Sequence, residues 1–525
     1  MSGFGERFRK AGYKVPKPLI HVEKKPIIAH IVDMFPGENE FIFICNKDHL
    51  RETKMIEILK SACEGKNFKI IPIESHSLGP VYAVSKAFDL IDEEEPVIIN
   101  YCDFTCYWKF QDFVKWAKQS GCDGAVPAYK GFHPHSLGNT NYAYIRESNN
   151  QIEQIKEKEP FTDKRMDEYA SSGTYYFSRG SYVKKYFSLL MNKRISTNGE
   201  YYCSLVYNLM NEDNLVSLVY EIEHFMQWGT PEDVKEYNHW SSIFHRLYNE
   251  KIDSFKKNYL TQNCAISKGT NIVTMAGIGS RFAEKGYLLP KPLIPVNKQK
   301  MFVEAFCSIP PATNNVFAIS SSIKDEVEKS MINISSSSYS LICVEQVTGG
   351  QSMTAKLCIE QCMPNTKVTI TSCDHAIIVD EKKLENVLAE DVDIIVWGFK
   401  QYYSSLRNPK MYGWVSTDEQ QNIVKAVTKT NPSNVLEDYV ITGTFTYRSP
   451  EILSKLIELQ IKNKNLVNGE YYLDSTIAEA IKIGLRCKLL EVDNYICWGT
   501  PNELNAYEYW QSCFSKWKTH PYSTY

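Results

Sequence analysis

The chain has 525 residues and a mass of 60.4 kDa, more than one hydrophobic core usually serves, so two domains are expected before any motif is read. A formal net charge of -3, with 43% hydrophobic and 23% charged residues, is ordinary for a globular chain and offers no broad electrostatic attraction to nucleic acid or to an acidic membrane. No apolar run is long enough to span a bilayer and no signal-type apolar stretch opens the chain, so the expected location is the cytoplasm. The 15 cysteines fit a reducing compartment: they are scattered singly, as at Cys45, Cys122 and Cys358, with no CxxC pair of metal-site spacing, and read as small buried hydrophobes.

In chain order, residues 1–22 (MSGFGERFRKAGYKVPKPLIHV) begin directly on a glycine-rich turn. The stretch 26–35 then sets Ile27, Ile28, Ile31, Val32 and Phe35 on one helical stripe, and 81–91 (VYAVSKAFDLI) does the same. Between and after them, 40–46 (EFIFICN), 68–74 (FKIIPIE), 96–102 (PVIINYC) and 124–129 (GAVPAY) read as buried strands. Strands alternating with helices predict βαβ units and a mostly parallel sheet. The remaining part of this half changes to shorter strands interleaved with helices, as expected of a substrate-covering lobe, with Trp228 and Trp240 taken as packing residues.

A charged and polar stretch follows, and the plan then starts again. Strand-like 271–275 (NIVTM) leads into MAGIGSRFAEKGYLLPKPLIPV at 275–296, a near copy of the opening residues. The strands 315–321, 339–345, 367–373 and 393–399 answer to the four of the first half, and Trp498 and Trp510 to its packing tryptophans. NYCDF near Asp103 answers to TSCDH near Asp374, SSGTYYF to ITGTFTY, and both NGEYY and WGTP recur, in order and at a nearly constant offset of 270 to 274. Matches of that kind mark a tandem duplication. The expected division is a first domain over 1–248, a linker over 249–269 and a second domain over 270–525. One asymmetry stands out: the first copy has no strand before its glycine turn. In a doubly wound sheet that strand is central, so its absence predicts a translation start set too late, a truncated chain, or completion by another segment, the first being preferred.

The chemistry sits at the repeated turn. A strand followed by G-x-G-x-R, with a lysine further on in P-K-P-L, gathers backbone N–H groups, a guanidinium and an ammonium around one point, which is a phosphate site. Gly3 and Gly5 in the first copy, and Gly277 and Gly279 in the second, let the backbone approach phosphate oxygens. Arg7 and Arg281 can hold the terminal phosphates with a planar fork, and Lys17 and Lys291 supply a compact charge near the α-phosphate.

The pattern GxGxRF, GY, PKPLI followed by a strand ending in Asp resembles the superfamily of sugar-1-phosphate nucleotidylyltransferases and related cytidylyltransferases, and its form with a late WGTP resembles members linked to capsule and surface-polysaccharide precursors. The resemblance covers both copies. It implies two tandem Rossmann-like α/β nucleotidyltransferase domains, magnesium, a nucleoside triphosphate and a small phosphorylated acceptor such as a sugar phosphate, with no nucleic acid or membrane partner and an oligomer possible. The implied reaction is attack of an acceptor phosphate oxygen on the α-phosphorus with departure of pyrophosphate. An acceptor phosphate is already ionised at neutral pH, so the site needs cations and no general base.

Asp103 and Asp374, at strand ends, suit Mg²⁺, the bland alternative being a helix N-cap. The family's second metal-binding Asp, two residues before the late Gly-Thr, is Gln227 in one copy and Cys497 in the other. Glu6 occupies the small-residue position of the glycine loop, whereas Ser280 keeps it, which makes the second nucleotide loop the better one. The family's Glu-Lys step is matched by Glu157 and Lys158, against Thr428 and Lys429; Glu200 and Glu470 match its acceptor-contacting acid; and the base-recognition positions fall on Ser75, His76 and Gly79 and on Gln346, Gly349 and Gly350. The first copy thus has the better acceptor side, and the two copies are expected to prefer different nucleotides. His133 and His135 lack a nearby acid and read as a loop over the acceptor pocket, not a metal pair. Two alternatives stand beside the transferase: a glycosyltransferase, disfavoured because no acid-x-acid pair follows either Asp, and a chain with one catalytic and one regulatory or structural copy.

Overall fold

The computed structural model describes residues 1, 3, 5–139, 141–248, 267–332, 334 and 338–523. They form two compact α/β units, Met1–Ser241 with Tyr509–Tyr525, and Ser242–Glu508.

In the first unit β1 (Glu40–Asn46) and β2 (Asn67–Ile73) pair in parallel as a sheet of their own. A second sheet contains β3 (Val97–Asn100), β5 (Gly124–Tyr129), β6 (Ala143–Ser148), β7 (Gln151–Glu157), β8 (Tyr169–Ser171), β9 (Thr174–Phe177) and β10 (Ser217–Glu221), in the order β8-β6-β7-β10-β5-β9-β3. β4 (Phe104–Tyr107) pairs with β11 (His224–Gln227) beside it. The larger sheet is mixed: β5 and β10 run parallel, while β9 is antiparallel to both β3 and β5. Helix Gly180–Asn192 covers it, burying Val183, Tyr186, Phe187 and Leu190, the i, i+3, i+4, i+7 stripe of an amphipathic helix, among core residues that include Phe177 and Tyr207.

The second unit has β12 (Ser267–Met275), β13 (Ala312–Ser320), β14 (Ser338–Val344), β15 (Lys367–Ser372), β16 (His375–Ile378), β17 (Ile394–Lys400), β18 (Gly413–Thr417), β19 (Ile423–Thr428), β20 (Tyr439–Tyr447), β21 (Cys487–Glu491) and β22 (Asn494–Cys497). The main sheet runs β14-β13-β12-β15-β20-β17-β21, with β18 on β20 and β19 on β18. Its first four strands are parallel, and β12 lies between β13 and β15. Helix Pro450–Lys462 buries Leu453, Leu456, Ile457 and Gln460 at the same spacing.

The strands expected from periodicity fall within a residue or two of those observed, apart from the longer β12 and β13. The helix expected over 81–91 is instead helix Pro80–Ser85 and a 3-10 turn at Phe88–Leu90. In the second unit β12 joins β13 to β15; in the first, among the described residues, no strand joins β1 to β3, and the sheet is in two pieces. Val316 and Phe317 of β13 are fully buried, whereas Ile42 of β1 is 39% exposed. An edge strand loses half its ladder and opens more readily. Amides of β1 are therefore expected to exchange with deuterium faster than those of β13, which hydrogen-exchange mass spectrometry on the intact chain would show.

Residues 249–266 of the expected linker lie outside the described residues, and 267–269 belong to β12. The stretch from Tyr509 groups with the first unit, not with the second-domain residues that precede it in sequence. The reason is local: the Tyr509 hydroxyl accepts from the Phe225 amide at 3.0 Å and donates to the Phe225 carbonyl at 2.6 Å, stitching that segment to β11. Trp228, Trp240, Trp498 and Trp510 are all buried, as packing residues should be. Among the described residues no helix is long and apolar enough to cross a membrane.

Candidate active site

The glycine turns have the geometry that phosphate approach requires. Gly5 (φ 61°) opens helix Glu6–Lys10, and Gly279 (φ 67°) opens helix Ser280–Glu284, both in the left-handed region that side chains disfavour. At Gly279 glycine is also a steric need, since an added Cβ would lie 2.9 Å from Lys291 Cβ. Around Gly3 and Gly277 there is open space instead, where an oxygen could reach the backbone. Glu6 is exposed beside Lys10, so its charge is directed along the helix surface. Ser280 and Arg281 stand in the first turn of the second unit's helix.

In each unit a lysine meets an aspartate, and in the second that lysine lies against the glycine turn at Gly279. Lys17 Nζ donates to Asp103 Oδ2 at 2.9 Å, and Lys291 Nζ to Asp374 Oδ2 at 2.5 Å. Burial opposes the charge on Lys17, yet the Asp103 carboxylate outweighs it and the ammonium is raised above its ordinary value; Lys291 behaves alike beside Asp374. Burial likewise opposes ionisation of Asp374, but Lys291 and then His375 hold its carboxyl well below the usual range. Neither aspartate caps a helix. Each lies between two strands, its carbonyl accepting from Trp228 N at 2.9 Å or Trp498 N at 2.7 Å.

The other side of each site is built from the strand end and the NGEYY turn. Lys158 and Lys429 both sit at positive φ (63° and 54°), directly after β7 and β19. Lys158 donates to the Tyr202 hydroxyl, that hydroxyl donates to Glu200, and Lys158 Nζ is 3.5 Å from Glu200 Oε2. In the second unit Lys429 lies 5.5 Å over the Tyr472 ring, and burial followed by the Glu470 carboxylate pushes the Tyr472 hydroxyl up to about 12. Arg7 stands in helix Glu6–Lys10 and Arg281 in helix Ser280–Glu284, the charge of Arg7 being a minor influence on Lys17 and Tyr202 and that of Arg281 on Tyr472. Tyr202 and Tyr472 were not singled out from sequence, although the repeated NGEYY contains both.

Gly79 and Gly350 open helices Pro80–Ser85 and Gln351–Cys358 at φ 85° and 115°. An added Cβ would meet the Tyr201 backbone at 2.7 Å in one unit and the Tyr471 backbone at 2.6 Å in the other, so each turn is pressed against its NGEYY segment. Ser75 accepts from Asn46 Nδ2 at 2.6 Å, and His76 Nδ1 accepts from Leu78 N at 3.2 Å; both side chains thus have local partners. Gln346 and Gly349 are exposed on the loop before the second helix, and the Gly349 carbonyl accepts from Tyr471 N at 2.8 Å.

His133 and His135 flank Pro134 in the turn between β5 and β6. Both are buried in an aromatic cluster, His135 Nε2 at 2.8 Å from the Tyr129 hydroxyl and His133 edge-on to Tyr509, and burial pushes His133 down to about 3.

Whether a divalent ion suits these residues can be read at the WGT turns. An added Cβ on Gly229 would lie 2.7 Å from Gln227 Nε2 and 3.3 Å from Asp103 Oδ2, so both side chains flank one backbone point. A carboxylate and an amide carry hard oxygen donors of the kind Mg²⁺ takes, and the first unit fits. At Gly499 the neighbours are Cys497 Sγ at 3.3 Å, Asp374 Oδ2 at 3.4 Å and Glu503 Oε2 at 3.4 Å. Burial, then the Glu503 and Asp374 charges, raise the Cys497 thiol well above its ordinary value, and a neutral thiol is a poor ligand for a hard ion. Glu503 is engaged with Thr500 in a helix-capping box. The second unit therefore offers half of the pair.

An α/β unit whose glycine turn, paired cation and strand-end carboxylate converge in this way is a phosphate-binding domain of the nucleotide-handling class. Residues 1–237 match the family model described as nucleotidyl transferase. Over those residues, the first unit, the chain is similar to the nucleotidyl transferase family. It is 28% identical over 142 residues to a mannose-1-phosphate guanyltransferase of Schizosaccharomyces pombe, covering 26% of this chain and 38% of that protein. It is 28% identical over 161 residues to the mannose-1-phosphate guanylyltransferase catalytic subunit beta of Dictyostelium discoideum, covering 30% and 43%. The chain thus spans about two fifths of the length of these curated relatives. Among solved structures, a nucleoside-diphosphate-sugar pyrophosphorylase from Vibrio cholerae RC9 aligns with 17% identity and a TM-score of 0.38 over 45% of this chain and 98% of that one. The inositol-1-phosphate CTP transferase from T. maritima does so with 17% identity and a TM-score of 0.38 over 48% and 97%.

Proposed function

We propose that the first unit transfers a nucleoside monophosphate from a nucleoside triphosphate to a sugar phosphate, releasing pyrophosphate, and that the second unit is a repeat of the same domain. The observation that carries this reading is the pairing of Lys17 with Asp103 together with the Lys158–Tyr202–Glu200 group that follows β7. One end is suited to a triphosphate and the other to a phosphorylated polyol.

The turn binds the triphosphate through backbone N–H groups. Lys17, already protonated and partly desolvated, moves its charge from Asp103 to the α-phosphate oxygens, where charge builds as the P–O bond to pyrophosphate breaks. Arg7 takes the leaving pyrophosphate. Lys158 orients the acceptor phosphate for in-line attack, and Glu200 and Glu157 accept its hydroxyls. Mg²⁺, held by Asp103 with the Gln227 amide oxygen, would supply further positive charge against the phosphates. The relatives' names make mannose 1-phosphate with GTP the first pair to try, and the product would be an activated sugar of the kind that polysaccharide assembly consumes. The protein is placed in the cytoplasm, where such substrates occur.

The test is a pyrophosphate-release screen of the four nucleoside triphosphates against mannose 1-phosphate, glucose 1-phosphate and inositol 1-phosphate. Absence of pyrophosphate with all pairs would overturn the reading, and release of a nucleoside diphosphate from a nucleotide sugar offered in place of the triphosphate would point to glycosyl transfer. The neutral thiol at Cys497 favours a lower activity or a regulatory role for the second unit.

Glu157 adds a pH signature. Burial pushes its carboxyl up to about 7, against a hydrogen bond from Ser204 Oγ at 2.7 Å. As pH rises through that value the carboxylate forms, so kcat/KM for the acceptor is expected to rise between about pH 6 and 8. Glu157→Gln should remove this limb and leave only the titration of the acceptor phosphate, near pH 6. Identical profiles for the two proteins would show that Glu157 does not face the acceptor. The stability term has the opposite sign: with a folded pKa above the unfolded one, this carboxyl stabilises the fold below pH 4 to 5 and that contribution is lost as pH climbs to about 7.

A further inference from the structure

The two units differ in where they keep a buried acid. In the first, β7 ends on Glu157 beside Lys158, and the residue facing it from the turn after NGEYY is Ser204. In the second, β19 ends on the neutral Thr428 beside Lys429, and the Ser204 position of the repeat is Asp474, the first residue of helix Asp474–Lys482. The hydrogen bond between the two walls survives in altered form, Ser475 Oγ donating to Thr428 Oγ1 at 3.1 Å. The carboxylate has moved from the strand to the helix.

Room has been made for it. An added Cβ on Gly413, in β18, would lie 2.1 Å from Asp474 Oδ2 and 2.7 Å from its Cγ, so any other residue there would expel the carboxylate. The corresponding position of the first unit is Ala143, in β6, opposite the smaller Ser204. The pairs Ala143 with Ser204 and Gly413 with Asp474 are matched in size, a small strand residue accommodating a larger helix residue. An acid placed only to stabilise a helix start is normally solvated and needs no such accommodation. Asp474 is instead half-buried, and desolvation pushes its carboxyl up to about 6 against the attraction of Lys429, a standing cost to the fold.

We propose that Asp474 is the acceptor-reading acid of the second unit, accepting hydroxyls of a phosphorylated sugar from the helix side, while Lys429 holds the phosphate. This deepens the transferase reading above and rests on it. The Glu157 acid of the first unit approaches from the strand side, so the two units select sugar phosphates with different hydroxyl arrangements.

The experiment uses the full chain carrying Lys17→Ala, so that the second unit alone supplies pyrophosphate, with glucose 1-phosphate, mannose 1-phosphate, galactose 1-phosphate and their deoxy analogues as probes. Asp474→Asn, which keeps the shape, is expected to raise the acceptor KM by about tenfold and leave the nucleotide KM unchanged. Removing the contacted hydroxyl from the acceptor should have a similar effect on the parent and little further effect on Asp474→Asn, a coupling that a merely structural residue would not show. Gly413→Ala should reproduce the acceptor defect independently. An acceptor KM that Asp474→Asn leaves unchanged would overturn this assignment while the transferase reading stands. Absence of pyrophosphate from the Lys17→Ala chain with every pair would overturn the transferase reading of the second unit, and this assignment with it.

Discussion

Lys17→Ala is expected to lower the pyrophosphate flux of the first unit by about 10²–10³-fold, the usual cost of removing one preorganised group that stabilises transition-state charge. The measurement is the initial rate in a Lys291→Ala background, which silences the corresponding lysine of the second unit. A structural role for the lysine would instead appear as a lowered melting temperature with the rate retained. The geometry argues against that outcome. Lys17 and Asp103 are both partly exposed, at 24% and 29%, so breaking their pair leaves an aspartate that water can solvate, and the fold should survive. Because Asp103 raises the Lys17 ammonium above its ordinary value, the lysine stays charged through the neutral range; its stabilising contribution is present below its unfolded value and is lost only in strongly alkaline solution. Lys17→Arg should not rescue activity, since a planar guanidinium cannot take the place of a compact ammonium between a carboxylate and a phosphate. The reciprocal comparison, Lys291→Ala alone, apportions the activity between the units.

What could be read from residues alone follows a physical rule. The glycine turns, PKPL and strand-end aspartates were legible as structure because they depend on local backbone geometry and on short spacings, which sequence displays directly. The positive φ of Gly5 and Gly279 and the strand limits near Glu40–Asn46 and Gly124–Tyr129 are of that kind. Properties set by distant partners were not legible. His133 and His135 look like a polar loop until Phe225 and Tyr509, far along the chain, are placed around them. Gly413 and Asp474 are 61 positions apart and reveal their fit only when β18 is laid beside the helix. Residues from Tyr509 onward follow the repeat in sequence but bond to β11 of the first unit, because an aromatic hydroxyl there finds the Phe225 backbone. The division of the first unit's sheet between β1 and β3, among the described residues, likewise required the hydrogen-bond pattern.

Asp103→Asn is expected to raise the divalent-cation concentration needed for half-maximal pyrophosphate release by about 10–100-fold, measured by Mg²⁺ titration in the Lys291→Ala background. The substitution keeps an oxygen beside Gln227 but removes the negative charge, so a hard ion would meet two neutral amides. Lys17 also loses its partner, and its freed charge would strengthen nucleotide binding in the absence of metal; a lower nucleotide KM at low Mg²⁺ should therefore accompany the weaker metal dependence. If Asp103 only positioned Lys17, the maximal rate would fall while the Mg²⁺ midpoint stayed fixed, which would overturn the metal assignment without touching the lysine. Gln227→Asp bears on the same question from the other side. Adding a carboxylate next to Gly229 should lower the Mg²⁺ midpoint, and Cys497→Asp, replacing a thiol that burial keeps neutral, should do so in the second unit by a larger factor because it gives Asp374 a hard partner where there was none at that position.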